Sequence, residues 1–226
     1  VFKGAKNIFD KNTCKLSGGH TMVGEDNNPV VGFSVIGKKN NKSKKQIKNG
    51  DRIFLTGKIG IGLIFAGINS NVISSNYLFE VMPQLEEGNL EIGKLFHIIK
   101  PLDATDISGY GLCNHLLNLK NRNNKINGIT IFKNKVFLFN GARKCLEKNI
   151  NSSFYNQNFF YGKNQICFKK NDLINRAFFD PQTVGGIAFI ISKELSIKIS
   201  KLLIKNNIIF NEIGFIDDSH NKIKVI

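Results

Sequence analysis

The chain has 226 residues, of which 42% are hydrophobic and 22% are charged, and its formal net charge is +15. This length suits one large domain or a domain and a half, with enough apolar residues to bury a core. No apolar run reaches the roughly 18 residues that a membrane-spanning helix needs, because glycines interrupt the longest run, residues 53–68. We therefore expect no membrane partner.

The hydrophobic spacing predicts strands that alternate with helices along the whole chain. Helices are predicted at residues 1–10, 63–68, 77–85, 91–99, 111–119, 140–149 and around 195–203. Strands are predicted at residues 14–16, 29–36, 51–56, 129–132, 136–139, 185–191, 208–210, 213–216 and 222–226. Residues 37–50 are predicted as a linker and residues 151–163 as a polar, aromatic loop. The alternation predicts an α/β or α+β layered domain.

The positive charge can indicate nucleic-acid binding. The lysines are spread along the chain apart from the run Lys38–Lys45, which has no aromatic residues that could stack on bases. We interpret this run as part of the solvated linker and expect no nucleic-acid partner, with RNA or DNA binding as the alternative.

The four cysteines, Cys14, Cys113, Cys145 and Cys167, form no CxxC pair and fit no zinc-finger spacing. Cys14 and Cys113 lie in apolar stretches, which predicts that both are buried. Cysteines without a disulfide framework are typical of reducing compartments, so we expect a cytoplasmic protein.

Three glycine-containing segments lie between the predicted elements: residues 17–21, 104–111 and 179–186. Each places a polar or acidic residue beside glycines, which lets backbone N–H groups and a carboxylate approach a phosphate or a metal ion. A fourth glycine pattern, at residues 57–62, fits neither the Walker motif nor the dinucleotide motif. We interpret this fourth pattern as close packing of a strand against a helix.

Asp106 is the candidate metal ligand in the second segment. Mg²⁺ takes one or two carboxylates and keeps several waters, and the helix that starts just beyond Asp106 would favour an anion. The alternative is that Asp106 or Ser108 caps this helix. Asp103 is a second carboxylate that could take the metal role. His115 lies on an apolar helical stripe, which predicts a hydrogen-bonded histidine of the core.

Taken in order, the segments resemble selenophosphate synthetase (selenide, water dikinase). In that family a Gly-Gly-His-Thr segment precedes Gly-Phe-x-Val-x-Gly, a Gly-Asp pair, Thr-Asp-Val-Thr-Gly-Phe-Gly-Leu-x-Gly-His-Leu and Asp-Pro-Gln-Thr-x-Gly-Gly. The similar parts of this chain are residues 18–21, 32–37, 50–51, 105–116 and 180–186. The last part matches in full. The purine-pathway cyclo-ligase, thiamine-phosphate kinase and a hydrogenase maturation factor share the fold but look less similar, mainly because they lack this last motif.

The sequence departs from the family pattern at a few positions. Tyr110 stands where the family has phenylalanine, and Asn114 stands where it has glycine. Gly57 and Ile59 replace a lysine and a proline. These departures are mild.

The resemblance implies the C-terminal domain of the selenophosphate synthetase / aminoimidazole ribonucleotide synthetase-like fold, in which a mixed sheet is packed with helices. Residues 38–226 would form this domain, and residues 1–37 would be the residual end of the N-terminal ATP-binding domain. The implied reaction converts ATP, selenide and water into selenophosphate, AMP and phosphate, with Mg²⁺ as cofactor. Asp106 matches a Mg²⁺ ligand. Gly19, His20 and Thr21 match residues that contact ATP across a homodimer formed by the N-terminal domains.

The resemblance also implies that the nucleophile, the catalytic lysine and most Mg²⁺ ligands precede this chain, which starts with Val1. We therefore expect no catalytic residue in the chain and no activity of the isolated fragment. The upstream nucleophile can be cysteine or selenocysteine, and a further domain can be fused upstream. Two alternatives remain open: a non-catalytic remnant that acts as an interaction domain, and another ATP-dependent member of the same superfamily.

Overall fold

A computed structural model describes residues 2–12, 14–22, 30–37, 46–170 and 172–226. The chain divides into two compact units, Val1–Lys42 and Ser43–Ile226. Most of the predicted linker, residues 38–45, lies outside the described residues. The assignment of the two units to an ATP-binding domain and a synthetase-like domain stays a prediction.

The first unit contains the helix α1 (Phe2–Lys11), as predicted. Residues 14–22 and 30–37 form neither helix nor strand, so the strands predicted there are wrong within the described residues. Apolar alternation makes a strand only where a neighbouring strand supplies backbone hydrogen bonds. Cys14 is exposed, against the prediction that it is buried.

The second unit is built on a mixed sheet that has seven strands among the described residues, in the order β2-β5-β1-β6-β3-β7-β4. The strands are β1 (Arg52–Thr56), β2 (Asp103–Asp106), β3 (Ile129–Ile131), β4 (Ile166–Phe168), β5 (Ile187–Ile191), β6 (Phe210–Ile216) and β7 (Ile223–Val225). Neighbours are antiparallel from β2 to β3, whereas β7 runs parallel to β3 and β4. β2 therefore lies at one edge of this sheet.

Helices cover both faces of the sheet. The larger core cluster packs under α2 (Ile61–Asn69), α3 (Leu78–Glu87), α5 (Gly111–Asn121), α6 (Asn140–Glu147) and α7 (Tyr155–Gly162). The smaller cluster, on the opposite face, packs under α4 (Leu90–Ile99) and α8 (Ser196–Lys205). None of the described helices is long and apolar enough to cross a membrane.

The two core clusters follow from alternation along the central strands. Ile53 and Leu55 of β1 belong to the larger cluster, whereas Phe54 between them belongs to the smaller one. There the ring of Phe54 stacks on Phe189 of β5, with the ring centroids 5.5 Å apart. Successive side chains of a strand point to opposite faces, so a strand that is covered on both faces is apolar throughout.

Three predictions about this unit are wrong. Residues 155–162, predicted as a loop, form α7, in which Tyr155 and Phe159 stack one helical turn apart. Residues 136–139 form no strand and make only the isolated bridge between Ile59 and Leu138. The two strands predicted between residues 208 and 216 are the single strand β6. The short strands β2 and β4 were not predicted.

Candidate functional site

Two of the three glycine-containing segments meet at the edge of the sheet. Gln182 N donates to Ser108 O (3.0 Å), and Gly185 N donates to Ile107 O (2.9 Å). Ile107 N donates in turn to Gly186 O (2.9 Å). β2 and β5 pair directly beside these bonds. The Asp106 loop and the 180–186 turn therefore form one hydrogen-bonded structure.

Asp106 is the last residue of β2, and its side chain is exposed. No described residue donates a hydrogen bond to its carboxylate or forms an ion pair with it. The helix α5 starts at Gly111 after Tyr110, and no side chain caps it. The capping alternative for Asp106 and Ser108 is therefore wrong, and the carboxylate of Asp106 is available to a ligand.

Asp103, the competing carboxylate, is engaged inside the protein. Its oxygens accept hydrogen bonds from Arg122 Nε (3.0 Å) and Nη2 (2.9 Å), Asn123 Nδ2 (2.7 Å) and Ala104 N (2.9 Å). Burial raises the pKa of Asp103, but the bonds from Arg122, Asn123 and Ala104 outweigh burial and bring the pKa below its usual range. Asp103 thus fastens the end of α5 to β2.

His115 fixes the loop that follows Asp106 by a hydrogen bond to Ser108. The residue is 8% exposed, and its Nε2 accepts a hydrogen bond from Ser108 N (3.0 Å) and lies 3.2 Å from Ser108 Oγ. Burial lowers the pKa of His115, and the nearby charge of Asp106 only partly offsets this. A neutral imidazole matches the acceptor role of Nε2. The prediction of a hydrogen-bonded core histidine is confirmed.

The 180–186 turn is joined to the first residues of α2. Asp180 is fully buried, and its Oδ2 accepts from Leu63 N (3.0 Å) while its Oδ1 accepts from Ser152 Oγ (2.5 Å). The Oε1 atom of Gln182 accepts from Gly60 N (2.8 Å) and Ile61 N (3.1 Å). These side chains satisfy the backbone N–H groups that the start of a helix leaves unpaired. Asp180 and Gln182 are therefore structural groups and do not face a ligand.

The environment of Asp180 disfavours its charged form. Burial raises the pKa of Asp180 to about 7, although the hydrogen bonds from Ser152, Leu63 and Gln182 act in the opposite direction. No basic side chain of the described residues forms an ion pair with it. The carboxyl group therefore titrates near neutral pH.

The glycines at residues 57–62 serve close packing, as predicted. A Cβ at Gly60 would overlap Ala142, and a Cβ at Gly62 would overlap Pro181 O. The start of α2 is already occupied by Asp180 and Gln182. This start is consequently not a phosphate site.

Two side chains that the sequence analysis did not select hold the loops in place. Gln84 of α3 donates to Lys58 O (2.9 Å) and Val184 O (2.5 Å). Asn158 of α7 donates through Nδ2 to Gly109 O and Phe179 O, both at 2.9 Å. Neither residue could be selected from the sequence, because no motif or spacing distinguishes it from the other polar residues of the chain.

The third segment lies in the first unit. Gly19, His20 and Thr21 are exposed and have no regular secondary structure. Their contact with ATP stays a prediction.

Asp106 is the one candidate metal ligand, and it offers a single exposed carboxylate. Among the described residues, no group of three or more His, Cys, Asp or Glu side chains could hold a metal by itself. A single exposed carboxylate fits Mg²⁺ that takes its other ligands from phosphate oxygens and water. It does not fit a closed all-protein metal site.

The chain is similar in sequence to selenide, water dikinases. It is 32% identical over 205 residues to the one from Caldanaerobacter subterraneus subsp. tengcongensis, with 86% of this chain and 56% of the relative covered. It is 27% identical over 232 residues to the one from Carboxydothermus hydrogenoformans, with 100% and 66% covered. This chain resembles the C-terminal part of selenide, water dikinase. It spans 56–66% of the length of these two relatives. No protein-family model matches the chain.

Solved structures show the same fold. The TM-score is 0.57 with thiamine-monophosphate kinase from Stenotrophomonas maltophilia K279a, at 13% identity, with 80% of this chain and 52% of that chain covered. It is 0.53 with a structure of the HypE–HypF complex, at 14% identity, with 81% and 51% covered. The predicted aminoimidazole ribonucleotide synthetase-like fold, a mixed sheet packed with helices, is confirmed.

Proposed function

We propose that this chain is the C-terminal part of a selenide, water dikinase, an ATP-dependent phosphotransferase that forms selenophosphate, AMP and phosphate from ATP, selenide and water. The observation that carries the proposal is the 32% identity over 205 residues to a protein of that name. The match of residues 180–186 to the family motif and the available carboxylate of Asp106 support it.

In this proposal Asp106 is a ligand of Mg²⁺, which neutralises the negative charge of the ATP phosphates. The residue lies at the end of an edge strand, where a large anionic ligand can approach without displacing the core. The hydrogen bonds from Gln182 and Gly185 fix the loop that follows Asp106. A carboxylate on a loop that is held from two sides loses little freedom when it binds.

We propose that Gly19, His20 and Thr21 contact ATP across a homodimer. Apolar side chains of the same unit are strongly exposed, with Val30 at 96% and Ile36 at 99%. Exposed apolar surface of this kind is typical of a part that is covered by other protein. We expect the rest of an N-terminal domain to cover it, and that part to carry the nucleophile and the catalytic lysine.

We place this activity in the cytoplasm, with no nucleic-acid or membrane partner. All four cysteines are free in the structure. Cys14 and Cys167 are exposed, and exposed thiols persist in a reducing compartment. This supports a cytoplasmic site for the reaction.

The test is selenide-dependent formation of AMP from ATP by the complete protein. We expect Asp106→Asn to lower turnover by about two orders of magnitude, since the metal loses a charged ligand. Thr183→Ala, an exposed position beside Gln182, is the matched control and should leave turnover unchanged. The isolated chain should form no AMP.

The same assay distinguishes the alternatives. Turnover with an aminoimidazole precursor or thiamine phosphate in place of selenide would assign the protein to another ATP-dependent member of the superfamily. Absence of turnover with every substrate would favour a non-catalytic interaction domain. Selenide-dependent AMP formation by the isolated chain would contradict the expectation that its reactive groups lie elsewhere.

A further inference from the structure

Two buried side chains from different helices hold the loop that follows Asp106. The first is His115 of α5, whose Nε2 accepts a hydrogen bond from Ser108 N (3.0 Å). The second is Asn158 of α7, which is 5% exposed and donates through Nδ2 to Gly109 O (2.9 Å). One residue of the loop is therefore fixed through its N–H group and the next one through its C=O group.

His115 contacts the loop at a second point. The ring of Tyr110 packs edge-on against the imidazole, with the ring centroids 5.8 Å apart. The negative charge of Asp106 partly offsets the fall that burial causes in the pKa of His115, so the carboxylate lies near the ring. The imidazole thus lies under the loop, between its first and last residues.

Asn158 is held rigidly in its own place. Its Nδ2 donates a second hydrogen bond to Phe179 O (2.9 Å), which uses both hydrogens of the amide nitrogen. Its main-chain oxygen accepts from Nδ2 of Asn114, a fully buried residue of α5 (2.8 Å). The two helices pack closely here, because a Cβ at Gly162 would lie 2.3 Å from Asn114 Oδ1. The packing of α5 against α7 therefore places the donor that the loop uses.

We propose that His115 and Asn158 are positioning residues that set the affinity of Asp106 for the metal ion of a metal–nucleotide complex. This inference rests on the proposed function, since it takes Asp106 as a ligand of Mg²⁺. A loop that is free before it binds loses backbone entropy when its carboxylate binds. The bonds from His115 and Asn158 remove that freedom beforehand, so less affinity is lost to ordering.

The test measures binding of Mn²⁺ to the complete protein with ATP, through the electron paramagnetic resonance signal of free Mn²⁺. Mn²⁺ prefers the same oxygen ligands as Mg²⁺. We expect His115→Leu and Asn158→Ala each to weaken Mn²⁺ binding about tenfold, which corresponds to roughly one loop residue that is ordered only on binding. In the selenide assay, the KM for Mg²⁺ should rise by the same factor, while kcat falls less than about threefold.

A double substitution separates positioning from a general loss of structure. Both side chains act through one carboxylate in this inference. In the Asp106→Asn background, neither His115→Leu nor Asn158→Ala should weaken Mn²⁺ binding further. A substitution that damages the site as a whole would add its loss to that of Asp106→Asn.

Two variants serve as controls for these losses. His115→Gln keeps an acceptor, Oε1, for Ser108 N, so Mn²⁺ binding should stay within about threefold of that of the unmodified protein. Asn118→Ala is the matched control, because Asn118 Oδ1 accepts from the Tyr161 hydroxyl (3.1 Å) and so joins α5 to α7 without a bond to the loop. This variant should leave Mn²⁺ binding unchanged.

A second measurement needs neither metal nor nucleotide. Amide hydrogen exchange at residues 107–111 of the chain should be about tenfold faster in His115→Leu and Asn158→Ala, and unchanged in Asn118→Ala. Global unfolding of a variant would instead raise exchange throughout the second unit. Asn114→Ala, which removes only the bond that holds Asn158, is the milder variant and should weaken Mn²⁺ binding about threefold.

Several outcomes would overturn the inference. They are no Mn²⁺ binding by the unmodified protein, equal binding by the folded variants and the unmodified protein, and a further loss in the Asp106→Asn background. Faster exchange at residues 107–111 without weaker Mn²⁺ binding would overturn it too, because the side chains would then stabilise the loop alone. Failure of the proposed function is read separately: the complete protein would form no AMP with selenide, while the variants would still bind Mn²⁺ with ATP more weakly.

Discussion

Replacing Gln182 by alanine would remove the side chain that joins the 180–186 turn to the start of α2. Gln182 is 4% exposed, so water does not readily replace its hydrogen bonds. Its Oε1 accepts from Gly60 N (2.8 Å) and Ile61 N (3.1 Å), and its Nε2 donates to Asp180 O (2.9 Å). The substitution leaves these three backbone groups without their partner.

The magnitude follows from the three bonds. A buried hydrogen bond contributes about 0.5–1.5 kcal/mol, and a buried group that is left unpaired costs about 1–3 kcal/mol. We therefore expect Gln182→Ala to lower the free energy of unfolding by about 3–4 kcal/mol. Since a domain has only about 5–15 kcal/mol of stability, this is a large loss.

The assay is urea unfolding of the chain followed by far-ultraviolet circular dichroism. Gln182→Met keeps most of the side-chain volume but cannot make the three bonds, so it should lose most of the same free energy. Thr183→Ala, at the exposed neighbouring position, should change stability by less than about 0.5 kcal/mol. A loss below about 1 kcal/mol in both Gln182 variants would refute the hydrogen-bond argument.

Two further predictions concern the same turn. Because burial raises the pKa of Asp180 from 3.8 to about 7, the folded state holds a proton that the unfolded state has released. The free energy of unfolding should therefore fall as the pH rises from about 4 to about 7, by roughly 4 kcal/mol at most, and urea midpoints of Asp180→Asn should lack this fall. An equal fall in the variant would rule out Asp180 as the source. Gly186→Ala should cost more than about 3 kcal/mol in the same assay, because Gly186 has φ +81° and a Cβ there would overlap Thr56 O. Gly109→Ala, where a Cβ meets nothing within 4 Å, should cost under about 1 kcal/mol, and equal losses at both glycines would contradict the steric reason.

Local patterns in the sequence predicted much of the fold. The continuous apolar run at residues 187–191 indicated a central strand, and β5 is one. The apolar stripes at residues 91–99 and 111–119 indicated helices, and both are present as α4 and α5. These patterns succeed because burial repeats with the period of the element itself.

The same reasoning failed where a long-range contact decides the structure. The segment at residues 151–163 is polar and aromatic, and its helix α7 is stabilised by packing against α5 and by bonds such as Asn158 to Phe179 O. Residues 30–36 alternate like a strand, yet no described strand pairs with them. A local pattern contains no information about whether a neighbouring strand or helix is present to pair or pack with the segment.

The sequence by itself determined the α/β layering and the resemblance that points to a selenide, water dikinase, because periodicity and motifs are local. Tertiary structure alone decided which of two nearby carboxylates is available. Arg122, which is 19 residues from Asp103 in the sequence, donates a hydrogen bond to the Asp103 carboxylate, whereas Asp106 stays exposed. It also decided that the 180–186 turn supports the site without facing a ligand, since Gln182 bonds to Gly60 across 122 residues. Hydrogen bonds between distant residues exist only once the chain is folded, and no spacing in the sequence records them.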